Sequence, residues 1–433
     1  MEIEKKEKAI LVGVRLPDAK NFELSMQELW DLALACDMEV AGSMEQKLDR
    51  PDTALYIGSG KVYEVLGALE EQQADLVIFD NTLSPTQLRN LQDRLHCPIL
   101  DRTALILEIF DKRAKSREAK IQVEIARLQY LLPRLVGMHE ALSRQGGGGG
   151  SRANKGVGEK KLELDRRKLL HRLNELRREL EQVRKERTTQ RKKRNDTGAV
   201  RVALVGYTNA GKSTLMNAML KRYYRQDTSL PEKLVFEENM LFATLDTTVR
   251  RISPPEHLPF LLSDTVGFIS HLPHQLVEAF HSTLEEAVES DLLLHVVDFS
   301  DFNRDSQINV TYDTLKELGA DGIPVIYVYN KADLCMEESM LPLVRGNRIY
   351  LSAKKGIGLT ELLDLMEKTL ADRYRTAEFC FPYDKGAVVS YLKQNAAVEE
   401  ISYEEQGVRM RARLRVEDYH RYQQFLTIEK DSN

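Results

Sequence analysis

Val202-Ala203-Leu204-Val205-Gly206-Tyr207-Thr208-Asn209-Ala210-Gly211-Lys212-Ser213-Thr214 decides how this chain is read. Its first four residues are small or branched and apolar, as in a strand buried on both faces. Gly206 stops the run, and Thr214-Leu215-Met216-Asn217-Ala218-Met219-Leu220 continues it with good helix formers. Between strand and helix stands G-x-x-x-x-G-K-S, the spacing of a phosphate-binding loop. The glycines let the backbone turn tightly, so that N–H groups from Gly206 to Thr214 face phosphate oxygens, and the helix N-terminus adds its positive end. Lys212 would reach the β- and γ-phosphates, and the Ser213 hydroxyl would hold Mg2+. The competing reading is an ordinary glycine-containing turn; a strand before and a helix after favour the phosphate loop.

The segments downstream fit the same reading. Phe242-Ala243-Thr244-Leu245-Asp246-Thr247-Thr248 is polar and threonine-rich, as a switch that lends the Thr244 hydroxyl to Mg2+ would be. The apolar strand Leu258–Leu262 runs into Asp264-Thr265-Val266-Gly267. An Asp at the carboxyl end of such a strand can hold the metal's water shell, and Gly267 can give its N–H to the γ-phosphate. Lys212, Thr244 and Gly267 are thus the catalytic candidates, and Ser213, Thr244 and Asp264 the metal candidates. A further strand, Val325–Tyr329, ends in Asn330-Lys331-Ala332-Asp333. The Asp333 carboxylate can accept from guanine N1–H and the 2-amino group, a donor pair that adenine lacks, while the Lys331 stem lies over the purine. Ser352-Ala353-Lys354 follows, where backbone N–H can meet guanine O6. The nucleotide is therefore GTP or GDP. Phe268 stands where many GTPases carry a water-orienting Gln, so slow intrinsic hydrolysis is expected. The Asn209 amide oxygen could hold a monovalent cation, K+, beside the phosphates.

At 433 residues, two to four domains are expected. The net charge of -5 is small, so only its distribution can name a partner. Cys36, Cys97, Cys335 and Cys380 lie far apart with no C-x-x-C pair, which argues for a reducing compartment and against zinc or a disulfide framework. The charged start leads straight into a strand pattern, unlike a signal peptide, and no apolar run reaches membrane-spanning length. The expectation is a soluble cytoplasmic protein, monomeric, with no membrane span.

Strands at 9–15, 54–57, 75–79 and 98–101 alternate with helices at 22–36, 61–72 and 84–95, a small parallel α/β domain over residues 1–114. Gly58-Ser59-Gly60-Lys61 lacks the residues a phosphate loop needs between its glycines and reads as a strand–helix turn. Over 115–196, Ile121, Ile125, Leu128, Leu131, Leu132 and Leu135 form one helical stripe. Leu162, Leu169, Leu173, Leu176, Leu180 and Val183 form a second with heptad steps, and the two fold back as an antiparallel hairpin. Residues 160–195 hold fifteen Lys/Arg against six Asp/Glu, a charge excess suited to nucleic-acid phosphates or to a solvated outer face. The joining loop, 143–158, carries five consecutive glycines with Arg144, Arg152 and Lys155; a loop of this kind is functional or a spacer. The nucleotide domain, a mostly parallel sheet flanked by helices, spans 197–372. A small α+β domain closes the chain over 373–433, with Arg409, Arg411, Arg413 and Arg415 alternating along a strand, as exposed residues or as a phosphate-contacting edge.

With these motifs in place, nearly the whole chain resembles the HflX family of translational GTPases, relatives of the Obg type. Besides Gly206–Ser213, the resemblance rests on Phe242-Ala243-Thr244-Leu245-Asp246 and Asp264-Thr265-Val266-Gly267-Phe268-Ile269. It rests further on Leu272-Pro273-His274, Ala279-Phe280, Thr283-Leu284-Glu285-Glu286 and the strand Asp291 to Asp298. Gly156-Val157-Gly158-Glu159-Lys160-Lys161 stands where the family usually has Gly-Pro-Gly-Glu-Thr-Gln, and Thr247 where it usually has Pro. The resemblance implies binding to the large ribosomal subunit and its rRNA, with the hairpin tip near the peptidyl-transferase centre. It implies ribosome splitting or rescue, especially under stress. A large-subunit assembly GTPase and a non-ribosomal signalling switch are the rival readings.

Overall fold

The computed structural model describes residues 6–17, 21–145, 152–195, 200–223, 241–242, 245, 247–255, 257–270 and 281–428, with the side chains of 135–145, 152–162, 187–195, 281–284 and 428 excepted. The glycines at 146–150, Ala243, Thr244, Asp246, Leu272-Pro273-His274 and Ala279-Phe280 lie outside the described residues. The chain forms two compact units. One is Met1–Lys185 with Asn239–Asp246 and Ser270–His281; the other is Glu186–Glu238 with Thr247–Ile269 and Ser282–Asn433.

The first unit begins β1 (Lys8–Arg15), α1 (Phe22–Ala35), β2 (Glu39–Lys47), α2 (Ser59–Gln72), β3 (Leu76–Phe79), α3 (Pro85–Leu95), β4 (Ile99–Asp101) and α4 (Arg102–Arg113). Its parallel sheet has the order β2-β1-β3-β4. Helix α3 starts where the sequence says it should: Ser84 and Gln87 exchange side-chain-to-backbone hydrogen bonds, and Pro85 takes the first turn. The strand expected at 54–57 is instead a turn. Asp52 Oδ1 accepts from the N–H groups of Ala54 (2.8 Å) and Leu55 (2.7 Å), and Tyr56 adopts φ 68°. The second strand is β2, a half-exposed edge strand whose polar residues hide it from a search for apolar runs.

Helices α5 (Arg117–Gln145) and α6 (Arg152–Asn195) form the hairpin. Ile121, Ile125 and Leu128 are buried against Leu173, Leu176 and Leu180. Arg117 meets Glu179 at 2.7 Å and Arg172 meets Glu124 at 2.8 Å; seven residues forward on one helix match seven back on the other, so the pair is antiparallel. Leu131, expected in the seam, is 37% exposed. The middle of α5 is tied to the sheet by the fully buried Asp101, which accepts from Tyr130 Oη (2.9 Å) and Arg134 Nη2 (2.9 Å).

The second unit carries β5 (Val200–Val205), α7 (Lys212–Tyr223), β6 (Thr248–Ile252), β7 (Phe260–Asp264), α8 (His281–Val288, entered from Ser282), β8 (Leu292–Asp298), α9 (Arg304–Glu317), β9 (Val325–Asn330), β10 (Leu343–Arg345), β11 (Arg348–Tyr350) and α10 (Leu359–Thr369). The sheet order is β10-β11-β9-β8-β5-β7-β6, parallel except at its two edge pairs. Val202, Leu204, Leu262, Leu294, Val296 and Val328 have no exposed surface, as central parallel strands between helix layers require. In the same unit follow β12 (Tyr374–Phe381), α11 (Gly386–Asn395), β13 (Ala397–Glu404), β14 (Gly407–Arg415), α12 (Val416–Arg421) and β15 (Leu426–Ile428). These strands make an antiparallel sheet in the order β13-β14-β12-β15.

The arginines of β14 alternate on one face, but that face is not an edge awaiting phosphate. Arg409 faces Glu378 and Glu404 at 3.3 Å each, Arg411 faces Glu399 at 3.1 Å, and Arg413 faces Glu367 at 2.8 Å. Each guanidinium already has a carboxylate beside it.

Candidate nucleotide site

Strand β5 delivers the phosphate loop from the middle of the sheet, and the close packing there explains its glycines. Gly206 has φ 141°, and a Cβ on it would lie 2.2 Å from the Val296 carbonyl oxygen. Gly211 has φ 94°, and its Cβ would lie 2.2 Å from Asn330 Nδ2. Either side chain would clash and strain the backbone together. Lys212 is buried, with Nζ donating to the carbonyls of Gly206 (3.0 Å) and Tyr207 (2.8 Å). Burial pushes its amine down to about 8, against the pull of Asp264. Thr214 continues the helix.

Ser213 Oγ donates to Asp264 Oδ2 at 2.6 Å, joining the start of α7 to the end of β7. One hydroxyl and one carboxylate, both hard oxygen donors, form a partial shell of the kind Mg2+ takes when water and phosphate supply the rest. Thr265 Oγ1 donates to the Leu204 carbonyl at 2.7 Å, and Val266 is buried, so this turn is fixed to β5. Beyond it the chain runs alongside the phosphate loop: Thr208 N–H donates to Phe268 O (2.8 Å), and Phe268 N–H to Gly206 O (3.2 Å). A Cβ on Gly267 would lie 2.8 Å from Thr208 Cα and 3.0 Å from Lys212 Nζ. Gly267 therefore sits at the phosphate end of the site. Of the threonine-rich segment, Leu241, Phe242 and Leu245 are buried, and the Phe242 ring packs edge-on to Phe110 of its own unit at 4.7 Å.

The base end is stapled to the phosphate end. Asn330 Nδ2 donates to Ala210 O (3.0 Å), and Asn330 Oδ1 accepts from Ala353 N–H (3.0 Å). Lys331 Nζ donates to Asn209 O (2.9 Å) and pairs with Asp298 at 2.8 Å. Asp298 was not foreseen; as the last residue of β8 it holds the lysine whose stem would cover the base. Burial raises the Asp333 carboxyl, but hydrogen bonds from Ser352 and Lys355, with the lysine's charge, bring it below its usual value. It is thus an ionised acceptor, paired with Lys355 at 3.3 Å. Ser352 and Ala353 are buried and Lys354 is exposed.

Comparison with known proteins agrees with this geometry. Residues 23–111 match the family described as "GTP-binding GTPase N-terminal", 113–194 its "Middle Region", and 201–331 the "50S ribosome-binding GTPase" family. GTPase HflX of Caldanaerobacter subterraneus is 44% identical over 421 residues, 97% of this chain and 94% of that protein. GTPase HflX of Escherichia coli is 38% identical over 422 residues, 96% and 95% of the two chains. A GTP-binding protein of Sulfolobus solfataricus, solved in complex with GDP, is 25% identical with a TM-score of 0.43, covering 84% of this chain and 99% of that one. With the identity to these two HflX relatives sustained over nearly the whole chain, the chain belongs to the HflX family of GTPases.

Proposed function

We propose that this GTPase acts on the large ribosomal subunit, reaching its rRNA through the helical hairpin, and that GTP binding drives it to split or rescue ribosomes. The observation that carries this reading is the outer face of α6, where Arg166, Arg167, Arg177 and Arg178 are exposed on a helix whose other face is buried in the seam. Rows of exposed guanidinium groups suit RNA phosphates. The match to a ribosome-binding GTPase family supports it. Among the described residues no helix is long and apolar enough to cross a membrane.

In the nucleotide site, Ser213, Thr244 and Asp264 would hold Mg2+, which would supply positive charge to the phosphates. Lys212 and the Gly267 N–H stabilise charge on the transferring phosphoryl, and the Asn330–Asp333 and Ser352–Lys354 segments select guanine. Phe268 is buried and carries no donor or acceptor beyond its backbone, so isolated protein turns over slowly and large subunits accelerate it. Sedimentation with a non-hydrolysable GTP analogue tests the reading. Splitting depletes intact ribosomes; binding only to precursor particles indicates assembly; no ribosome association overturns the proposal.

Asn209 adds a cation dependence. Its backbone is held at φ 59° by the loop while its side chain is exposed, free to turn its amide oxygen to K+ beside the phosphates. GTP turnover is expected to rise severalfold when K+ replaces Na+, and Asn209→Ala to erase the difference. Equal rates in both salts would leave Asn209 a loop-shaping residue.

A further inference from the structure

Two non-glycine residues of the nucleotide site have left-handed backbone, and one lysine amine joins them. Asn209 lies in the phosphate loop at φ 59°, and Lys331 follows β9 at φ 59°. Residues with side chains rarely take that conformation unless their surroundings hold them there. Lys331 Nζ donates to Asn209 O at 2.9 Å, so the base end grips the phosphate loop by its main chain. An amine on a flexible four-carbon stem is a loose clamp by itself. Here Asp298 fixes it. Asp298 Oδ2 accepts from Lys331 Nζ at 2.8 Å, with both side chains mostly shielded from water. Asp298 Oδ1 accepts from Ser300 N–H (3.0 Å) and Ser300 Oγ (2.6 Å). Phe299 N–H donates to Asn330 O at 2.9 Å, which holds the end of β8 against the end of β9. One oxygen keeps the carboxylate still, and the other aims the lysine.

We infer that Asp298 is a positioning residue that sets how long a guanine nucleotide stays bound. By aiming the Lys331 amine at Asn209 O, it orders the lysine stem that covers the base and the phosphate loop together. A site ordered before binding loses less freedom when the nucleotide arrives, and the gain shows as slower release. The bond from Asn330 Nδ2 to Ala210 O (3.0 Å) does not involve Asp298, so the two loops stay joined without it. The expected loss is therefore one of residence time, shared by GDP and GTP, with base choice left to Asp333. The inference rests on the assignment of Asn330–Asp333 to guanine and is independent of ribosome binding.

The test follows release of a fluorescent GDP from the full-length protein with Mg2+, chased by excess unlabelled GDP. Asp298→Asn keeps an oxygen for Ser300 and turns an amide N–H toward the lysine. Release is expected to quicken about tenfold or more, with association within about threefold and the preference for GDP over xanthosine diphosphate within about twofold. In a Lys331→Met background the same change should quicken release by no more than about twofold, because its effect passes through the lysine. Ser300→Ala, which leaves Asp298 in place, should quicken release about threefold, again only with Lys331 present. Wild-type protein that holds ADP as long as GDP would remove the guanine assignment and this inference with it. With that preference intact, release from Asp298→Asn at the wild-type rate would overturn the inference alone. So would an equal gain in the Lys331→Met background, the mark of a residue that only shapes its own loop. If Asp298→Asn does not fold, unchanged release from Ser300→Ala overturns the inference instead.

Discussion

Asp333→Asn is expected to lose GTP affinity by about 10^2–10^4-fold while gaining xanthosine triphosphate. Two hydrogen bonds from guanine to an ionised carboxylate are worth about 1.5–3 kcal/mol each, and each 1.4 kcal/mol is a factor of ten. The carboxylate is well prepared, because Ser352 and Lys355 keep it ionised in a nearly buried position. An amide there turns one donor toward the base, which guanine's 2-amino group cannot accept and the xanthine 2-oxo group can. The fold should survive the change, since Lys355 also pairs with Glu338. Competition of unlabelled nucleotides against a fluorescent GDP reads the outcome. Wild-type protein that binds ATP at this site as well as GTP would remove the assignment of Asn330–Asp333.

Replacing residues 144–158 with a short neutral turn is expected to abolish ribosome splitting and leave GTP binding intact. Helix α6 has 44 residues, so at 1.5 Å per residue it is roughly 66 Å long. The replaced segment takes in the last two residues of α5 and the first seven of α6 as well as the glycines between them, and no phosphate-loop residue is within it. Glycines without side chains would let the tip enter a narrow RNA-walled cavity, and Arg144, Arg152 and Lys155 would neutralise phosphates there. Removing them should also flatten the salt dependence of ribosome binding. Light scattering of intact ribosomes checks the first expectation and nucleotide titration the second. A shortened variant that still splits at the wild-type rate would make the loop a spacer.

The nucleotide loops were legible in the sequence because phosphate and guanine chemistry dictates residue types at fixed spacing. The loop from Gly206 to Ser213 meets Asp264 and Gly267 through Ser213, Thr208 and Lys212, and meets Asn330 and Lys331 through Ala210 and Asn209. What was not legible depends on partners far away in sequence. Nothing local separates Asp298 from any strand-ending Asp until Lys331, 33 residues on, is brought to it. Phe242 reads as part of a nucleotide-facing segment, yet its ring finds Phe110. The β14 arginines look cationic until carboxylates from β12, β13 and α10 are placed beside them. Strand β2 escaped because an edge strand needs few apolar residues, whereas the apolar 54–57 stretch was turned by a single Asp52 side chain.

The buried amine of Lys212 makes nucleotide binding an exchange of protons as well. Before nucleotide binds, burial strips the ammonium of its hydration and pushes its value down to about 8 against the pull of Asp264. A bound triphosphate brings negative charge against it and restores the ammonium, so its bound value lies higher. Above pH 8 each binding event must therefore draw a proton from the buffer, and nucleotide affinity should decline as pH rises through that value. Titration calorimetry in two buffers of different ionisation heat would count that proton. Below pH 7 the amine is charged before and after, the count falls to zero, and affinity becomes indifferent to this group.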